Sequence, residues 1–248
     1  MGKIRGVLLA GGLGSRLGIV TQRLYNKHSA LVFDRPMISH PIRTMVESGV
    51  TDIILVSGDK YAGDFVALLG DGREQGLTSI QYVYQYKPDG IAGALREAGR
   101  AMNGNYEDVL VVLGDNFFEK SSEIKYIVDN FRDRYQEKQA MCWLKPVEDP
   151  SRFGVAELNG EIVSIEEKPK APKSNLAIVG AYCFSKDVFK KIDALKPSGR
   201  GELEVTDLLT SYLDSKSLGY GFINSYWSDM GTPESLARTV KFLYESTQ

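Results

Sequence analysis

Near its start the chain carries the run Val7–Leu17 (VLLAGGLGSRL), an apolar stretch that gives way to Gly11, Gly12 and Gly14 and then to Arg16. Glycine admits positive φ and lets the backbone approach a ligand closely. Successive N–H groups in such a turn can cradle phosphate oxygens, and an arginine adds a fixed cationic fork. An ordinary strand-to-helix turn uses the same glycines, so the arginine and the opening βα context carry the phosphate reading. Two familiar loops fit poorly. A Walker A loop ends in Gly-Lys-Ser/Thr, and this one reads Gly14-Ser15-Arg16. The dinucleotide fingerprint would put its third small residue on Leu17, which disfavours a nicotinamide oxidoreductase.

Asp115 follows the apolar run 108–113, and Asp229 lies just after Trp227. Each alone also suits a turn or a cap. Delivered together from distant strands beside a phosphate loop, they suit Mg²⁺, which takes one or two carboxylates plus phosphate oxygens and water. The cationic candidates are Arg16, Lys27, Lys168 in the run EEKP and Arg200 between Gly199 and Gly201. No Ser/His/Asp order or Cys/His pair suggests a covalent nucleophile. Cys142 and Cys183 sit in apolar runs as small core residues, and His28 and His40 complete no zinc spacing. A reduced, cytoplasmic setting is the expectation.

Strands and helices alternate through the first half. Buried strands are expected over 4–10, 52–57, 80–84 and 108–113, and helices over 37–47, 61–69, 91–102 and 124–137. This order predicts an α/β fold: a Rossmann-like, open, mostly parallel mixed sheet flanked by helices, with right-handed crossovers. The second half holds shorter strands, over 139–145, 155–158, 162–166 and 178–184, with a hairpin turn at Asn159-Gly160. Helices near 188–194 and 204–215, a strand over 220–227 and a helix over 233–247 complete it. No linker separates the halves, so a single domain over 1–248 is expected, its two halves, about 1–137 and about 138–248, sharing one sheet. Ligands of open α/β sheets bind beyond the carboxyl ends of strands. Gly11–Arg16, Gln85–Gly90 and Gly114–Asn116 should therefore meet at one edge.

A net charge of −2 gives no global field for nucleic acid or an anionic membrane. No apolar run is long enough to span a bilayer, and the start MGKIRG leads into a strand, so that neither a signal peptide nor myristoylation is expected, position 6 being Gly6.

The ordered set LAGGLGSRL, Lys27 followed by FDRPM, LLGDG, QYKPDG, VLGDN, RFGV, EEKP, PKSN, GAY, RGELEVTD and SDMGT resembles the sugar-nucleotidyltransferase family across nearly the whole chain, the short form of the glucose-1-phosphate thymidylyltransferases above all. The resemblance implies that a nucleoside triphosphate, dTTP or UTP, and a sugar 1-phosphate, glucose 1-phosphate, yield a nucleotide sugar and pyrophosphate by in-line attack on the α-phosphorus, with Mg²⁺. Leu9, Gly11, Gly12, Gly14, Ser15 and Arg16 would then hold the nucleotide, together with Gln85, Pro88 and Gly90 at the base. Arg16 and Lys27 would be catalytic. Asp115, Gly154, Glu167, Lys168, Gly180, Tyr182 and Arg200 would bind the sugar phosphate, and Asp115 and Asp229 the metal, so that residues 1 to about 137 would form a nucleotide-binding half and about 138–248 a sugar-binding half.

The chain departs from the family pattern in places. Gly18-Ile19 replace a tyrosine-proline pair, and Lys27-His28-Ser29-Ala30-Leu31 replace a lysine-glutamine-leucine-leucine-proline run. The Arg16-to-Lys27 spacing is one residue longer, and Phe153 stands for a sugar-pocket tyrosine. The sequence stops soon after Phe242, so the regulatory site of longer relatives is expected to be missing. Other hexoses or bases, a non-catalytic nucleotide-sugar sensor and a homo-oligomer stay open.

Overall fold

The computed structural model describes residues 3–12, 17–21, 26–58, 62–102, 106–131 and 138–248. The expectations on Gly14, Ser15, Arg16, Tyr61 and residues 132–137 lie outside them. The first half runs β1 (Lys3–Ala10), α1 (Gly18–Thr21), β2 (Leu31–Val32), β3 (Arg35–Pro36), α2 (Ser39–Glu47), β4 (Asp52–Ser57), α3 (Ala62–Leu69), β5 (Ser79–Tyr84), α4 (Ile91–Ala101), β6 (Tyr106–Leu113), β7 (Asn116–Phe118) and α5 (Ser122–Asn130). The second runs β8 (Ala140–Pro146), β9 (Gly154–Asn159), β10 (Glu161–Glu167), β11 (Leu176–Ser185), α6 (Val188–Asp193), α7 (Val205–Asp214), β12 (Leu218–Phe222), β13 (Trp227–Asp229) and α8 (Pro233–Ser246).

The expected open mixed sheet is present, in the order β10-β9-β11-β6-β1-β4-β5, with β8 on β11 and β12 on β8. Strands β6, β1, β4 and β5 are parallel, and β11 joins β6 antiparallel. Alternation along the central strands divides the core. Val7, Leu9, Val109 and Val111 face α4, α6 and α7. Leu8, Ala10, Leu110 and Val112 face α2, α3 and α5. Period-2 burial on both faces is why these strands read as unbroken apolar runs.

Strand β11 gives the sheet its functional shape. Its residues 181–185 pair with β6, while Ala177 pairs with Val155 of β9. β6 and β9 thus follow one another along β11 and part near Gly180. The pairing of β11 with β8 also shifts register between Ile178 and Tyr182. A cleft opens at this divergence, beyond the carboxyl ends of the parallel strands.

The expected strand over 220–227 is two strands. β12 ends at Phe222, and the chain turns at Asn224-Ser225 before β13 pairs with β7. The Glu123 carboxylate accepts from the Asn224 and Ser225 amides at 2.9 and 3.2 Å, and Glu119 accepts from the Tyr226 amide at 2.7 Å. These contacts carry the chain from the main sheet to a two-stranded ribbon. The two polar residues inside an apolar pattern were its only mark in the sequence.

Leu110 lies wholly buried at the middle of β6. Leu110→Ala should cost about 3 kcal/mol by lost transfer energy and a residual cavity. Urea denaturation should show a lower midpoint at unchanged m; an unaltered midpoint would contradict this account of the core.

Candidate active site

The cleft encloses about 490 Å³. Its walls bring together Leu9, Gly11, Gly12, Lys27, Gln85, Pro88, Gly90, Asp115, Gly154, Glu167, Lys168, Gly180, Tyr182, Arg200 and Asp229. Every expected site residue among the described ones therefore faces one space.

At its centre Lys27 Nζ lies 2.5 Å from Asp115 Oδ2, both side chains being nearly buried. Burial by itself would raise the Asp115 carboxyl. The Lys27 ammonium, the His28 ring and hydrogen bonds from Lys27 and Asn116 outweigh it and hold the group well below the usual carboxylate range. Lys27 begins a short 3₁₀ turn capped by Asn26, whose Oδ1 accepts from the His28 amide at 3.0 Å and from His28 Nδ1 at 2.8 Å.

Asn116, which the sequence reading did not select, ties three elements together. Its Oδ1 accepts from the Gly180 amide at 3.0 Å and from Trp227 Nε1 at 2.8 Å, and its Nδ2 donates to Asp115 Oδ1 at 3.0 Å. A Cβ at Gly180 would sit 2.7 Å from the Asn116 carboxamide, so only glycine admits this contact. Asp229 is the β13 partner of Asn116, and the Met230 amide donates to the Asp115 carbonyl at 2.8 Å. The two aspartates are thereby held at one edge. Asp229 Oδ1 accepts from the Gly231 amide at 2.8 Å.

The other end of the cleft is an ionic network. Arg200 donates to Glu167 Oε1 at 3.0 Å and clasps Glu204 through Nε and Nη2 at 3.1 and 2.8 Å. Glu167 also accepts from Thr206 at 3.1 Å and lies 3.1 Å from Lys168 Nζ. Lys168 has φ +45°, a left-handed conformation that costs energy for a non-glycine residue, and its amide is fixed to the Phe153 carbonyl at 3.0 Å. Tyr182 is buried, and burial, aided by Glu167, pushes its phenol upward, so it is a neutral hydrogen-bonding group. Phe153 packs edge-on against Trp227 with ring centroids 5.5 Å apart. Glu204, Thr206 and His28 also line the cleft without having been singled out as site residues. Their adjacency to the chosen motifs was the available signal.

A family model for nucleotidyl transferases matches residues 5–246. A glucose-1-phosphate thymidylyltransferase of Neisseria meningitidis is 38% identical over 97% of this chain and 82% of its own. One from Xanthomonas campestris is 38% identical over 96% and 80%. The crystal structure of a candidate glucose-1-phosphate thymidylyltransferase from Bacillus anthracis, in complex with sucrose, superposes with TM-score 0.88 at 40% identity, covering 96% of this chain and 94% of that one. The chain belongs to the nucleotidyl transferase family and is an enzyme of that class. No helix among the described residues is long and apolar enough to cross a membrane.

Two buried histidines set an acid limit on the fold. Burial, then the Lys27 charge, lowers His28 from 6.5 to about 3, and burial lowers His40 from 6.5 to about 4 despite its contact with the Val32 carbonyl. Both rings stay neutral where the unfolded chain is protonated, so the unfolded state binds more protons and stability falls as pH drops below about 6.5. With both contributing, the slope approaches about 2.7 kcal/mol per pH unit near pH 5. Denaturation midpoints between pH 5 and 7 should follow it, and His40→Asn should remove about half of the slope; stability flat over that window would refute the assignment.

Proposed function

We propose that the enzyme transfers the thymidylyl group of dTTP to glucose 1-phosphate, giving dTDP-glucose and pyrophosphate, with UTP as the alternative donor. The observation that carries this reading is the Lys27–Asp115 pair beside Asp229, facing the Glu167, Lys168 and Arg200 network across one cleft. That arrangement is what two anionic substrates require. The names of the relatives supply the substrates.

The reaction needs no protein nucleophile. A phosphate oxygen of the sugar phosphate forms a bond to the α-phosphorus while the bond from that phosphorus to the departing pyrophosphate breaks. The enzyme's work is alignment and charge neutralisation. Gly11 and Gly12 present bare backbone at the end of β1, and Arg16, four positions further along the sequence, is proposed to grip the triphosphate. The Lys27 ammonium has three hydrogens; one is given to Asp115, and the others can reach phosphate oxygens on either substrate. Lys168 and Arg200 would take the sugar phosphate, held in place beforehand by Glu167 and Glu204. Gly154, Gly180 and Tyr182 would line the sugar, and Gln85, Pro88 and Gly90 the base.

Asp115 and Asp229 would hold Mg²⁺. Two hard carboxylates lining one cleft would suit an ion that keeps phosphate and water as its other ligands. The ion would supply further neutralisation of the triphosphate charge. The two free, buried cysteines fit a reducing, cytoplasmic setting.

A matrix of nucleoside triphosphates against hexose 1-phosphates, with pyrophosphate as readout, tests this reading. Release should require both substrates and Mg²⁺ and be fastest with dTTP or UTP and glucose 1-phosphate. Asp115→Asn should lower kcat by about 10²–10³-fold with an unchanged circular dichroism spectrum. Near-normal turnover would remove Asp115 from the mechanism.

A further inference from the structure

Gln85 stands on the base side of the cleft, where its carboxamide could present either its oxygen or its nitrogen. The surroundings allow one orientation. Nε2 donates to Asp89 Oδ1 at 3.0 Å and to the Gly90 carbonyl at 3.4 Å. Both partners are acceptors, so a flipped amide would set oxygen against oxygen. Both hydrogens of the nitrogen are thus directed away from a ligand. The carboxamide oxygen packs against Gly11, where a Cβ would come within 2.6 Å of it. Gln85 therefore offers an acceptor to whatever occupies the cleft.

Asp89 is fixed in turn. Arg96, one turn into α4, donates to its other oxygen at 2.6 Å. The Asp89 amide donates to the Lys87 carbonyl at 2.8 Å, and its carbonyl accepts from the Leu203 amide at 2.7 Å. Gly93 leaves the space that the carboxylate fills, since a Cβ there would run into it.

We infer that Asp89, held by Arg96, is a specificity-determining positioning residue that locks Gln85 with its oxygen facing the base and so selects imide pyrimidines over cytosine. This rests on the proposed role of Gln85 at the base. Thymine and uracil carry an N–H at ring position 3, which an acceptor receives. Cytosine has a bare lone pair there, and two acceptors face to face leave a buried polar atom unpaired. The carboxamide does not choose the base by itself; the carboxylate behind it decides which end is shown.

The test uses Asp89→Asn. Asparagine keeps one acceptor, which the Arg96 cation claims, leaving an amide donor toward Gln85. Gln85 then gains the shorter of its two contacts by turning its oxygen to Asn and its nitrogen to the cleft, against only the longer 3.4 Å contact with the Gly90 carbonyl. The ratio of kcat/KM for dTTP over dCTP should fall at least about tenfold. The dTTP to UTP ratio should hold, because both bases are imides. Gly93→Ala, which displaces the Asp89 carboxylate without removing a polar group, should lower the same ratio, and calorimetric binding of dTTP against dCTP reads it should turnover fail. A uniform loss for all nucleotides, with the dTTP to dCTP ratio preserved in both variants, would overturn the inference. Gln85→Ala separates the two ideas. If it erases the discrimination while the Asp89 and Gly93 variants keep it, only the positioning role fails. If it leaves discrimination intact, the reading of Gln85 at the base fails first.

Discussion

The site hangs on the point where β6 and β9 part along a shared edge of β11, and on the single carboxamide that spans it. A sheet that splits leaves backbone donors and acceptors without ladder partners, and such groups are costly when buried. Asn116 answers the Gly180 amide at that point while also holding Trp227 and Asp115. One side chain therefore joins the end of β6, the distortion in β11 and the β7–β13 ribbon. The cleft can be open because this joint is closed.

Lys27, Lys168 and Arg200, cations along the cleft, arrive already paired with carboxylates. Lys27 rests on Asp115, and Arg200 on Glu167 and Glu204. Long flexible side chains lose considerable rotamer freedom when fixed, and these pairs impose that loss before substrate binds. They also prevent uncompensated positive charge from gathering in a partly buried space. Incoming phosphates would compete for donors already oriented. The strained backbone at Lys168 belongs to the same design, since a left-handed turn is what brings its side chain and Glu167 to one wall.

The sheet was legible in the sequence because its central strands are buried on both faces and bounded by glycine and polar turns. The loops Gly11–Gly12, Gln85–Gly90 and Gly114–Asn116 could be assigned to one edge from strand order alone. What could not be read was anything that depends on partners far along the chain. Asn116 matters through Gly180 and Trp227, 64 and 111 positions away. The three-residue strands β7 and β13 are too short to show periodicity. The break at Asn224-Ser225 depends on Glu123, about a hundred residues earlier. Pattern reports local conformation; tertiary hydrogen bonds between remote segments leave no pattern.

The same contrast explains where discrimination can reside in this fold. The groups proposed to face phosphate are charged or backbone-based, and they would read features that every nucleoside triphosphate shares. Selectivity needs a directional neutral group whose wrong orientation costs a buried hydrogen bond. Gln85 is the group proposed for that task, and its carboxamide is held by a chain running through Asp89 to Arg96. The turn that carries Asp89 is also bonded to Leu203, three residues beyond Arg200, and the Ala92 amide returns a bond to the Leu203 carbonyl at 3.2 Å. The turn proposed to face the base and the loop proposed to grip the sugar phosphate are thus joined by hydrogen bonds in one body. A displacement of either would strain these bonds, so the rigidity that the proposed discrimination needs would come from the half of the cleft that carries Arg200.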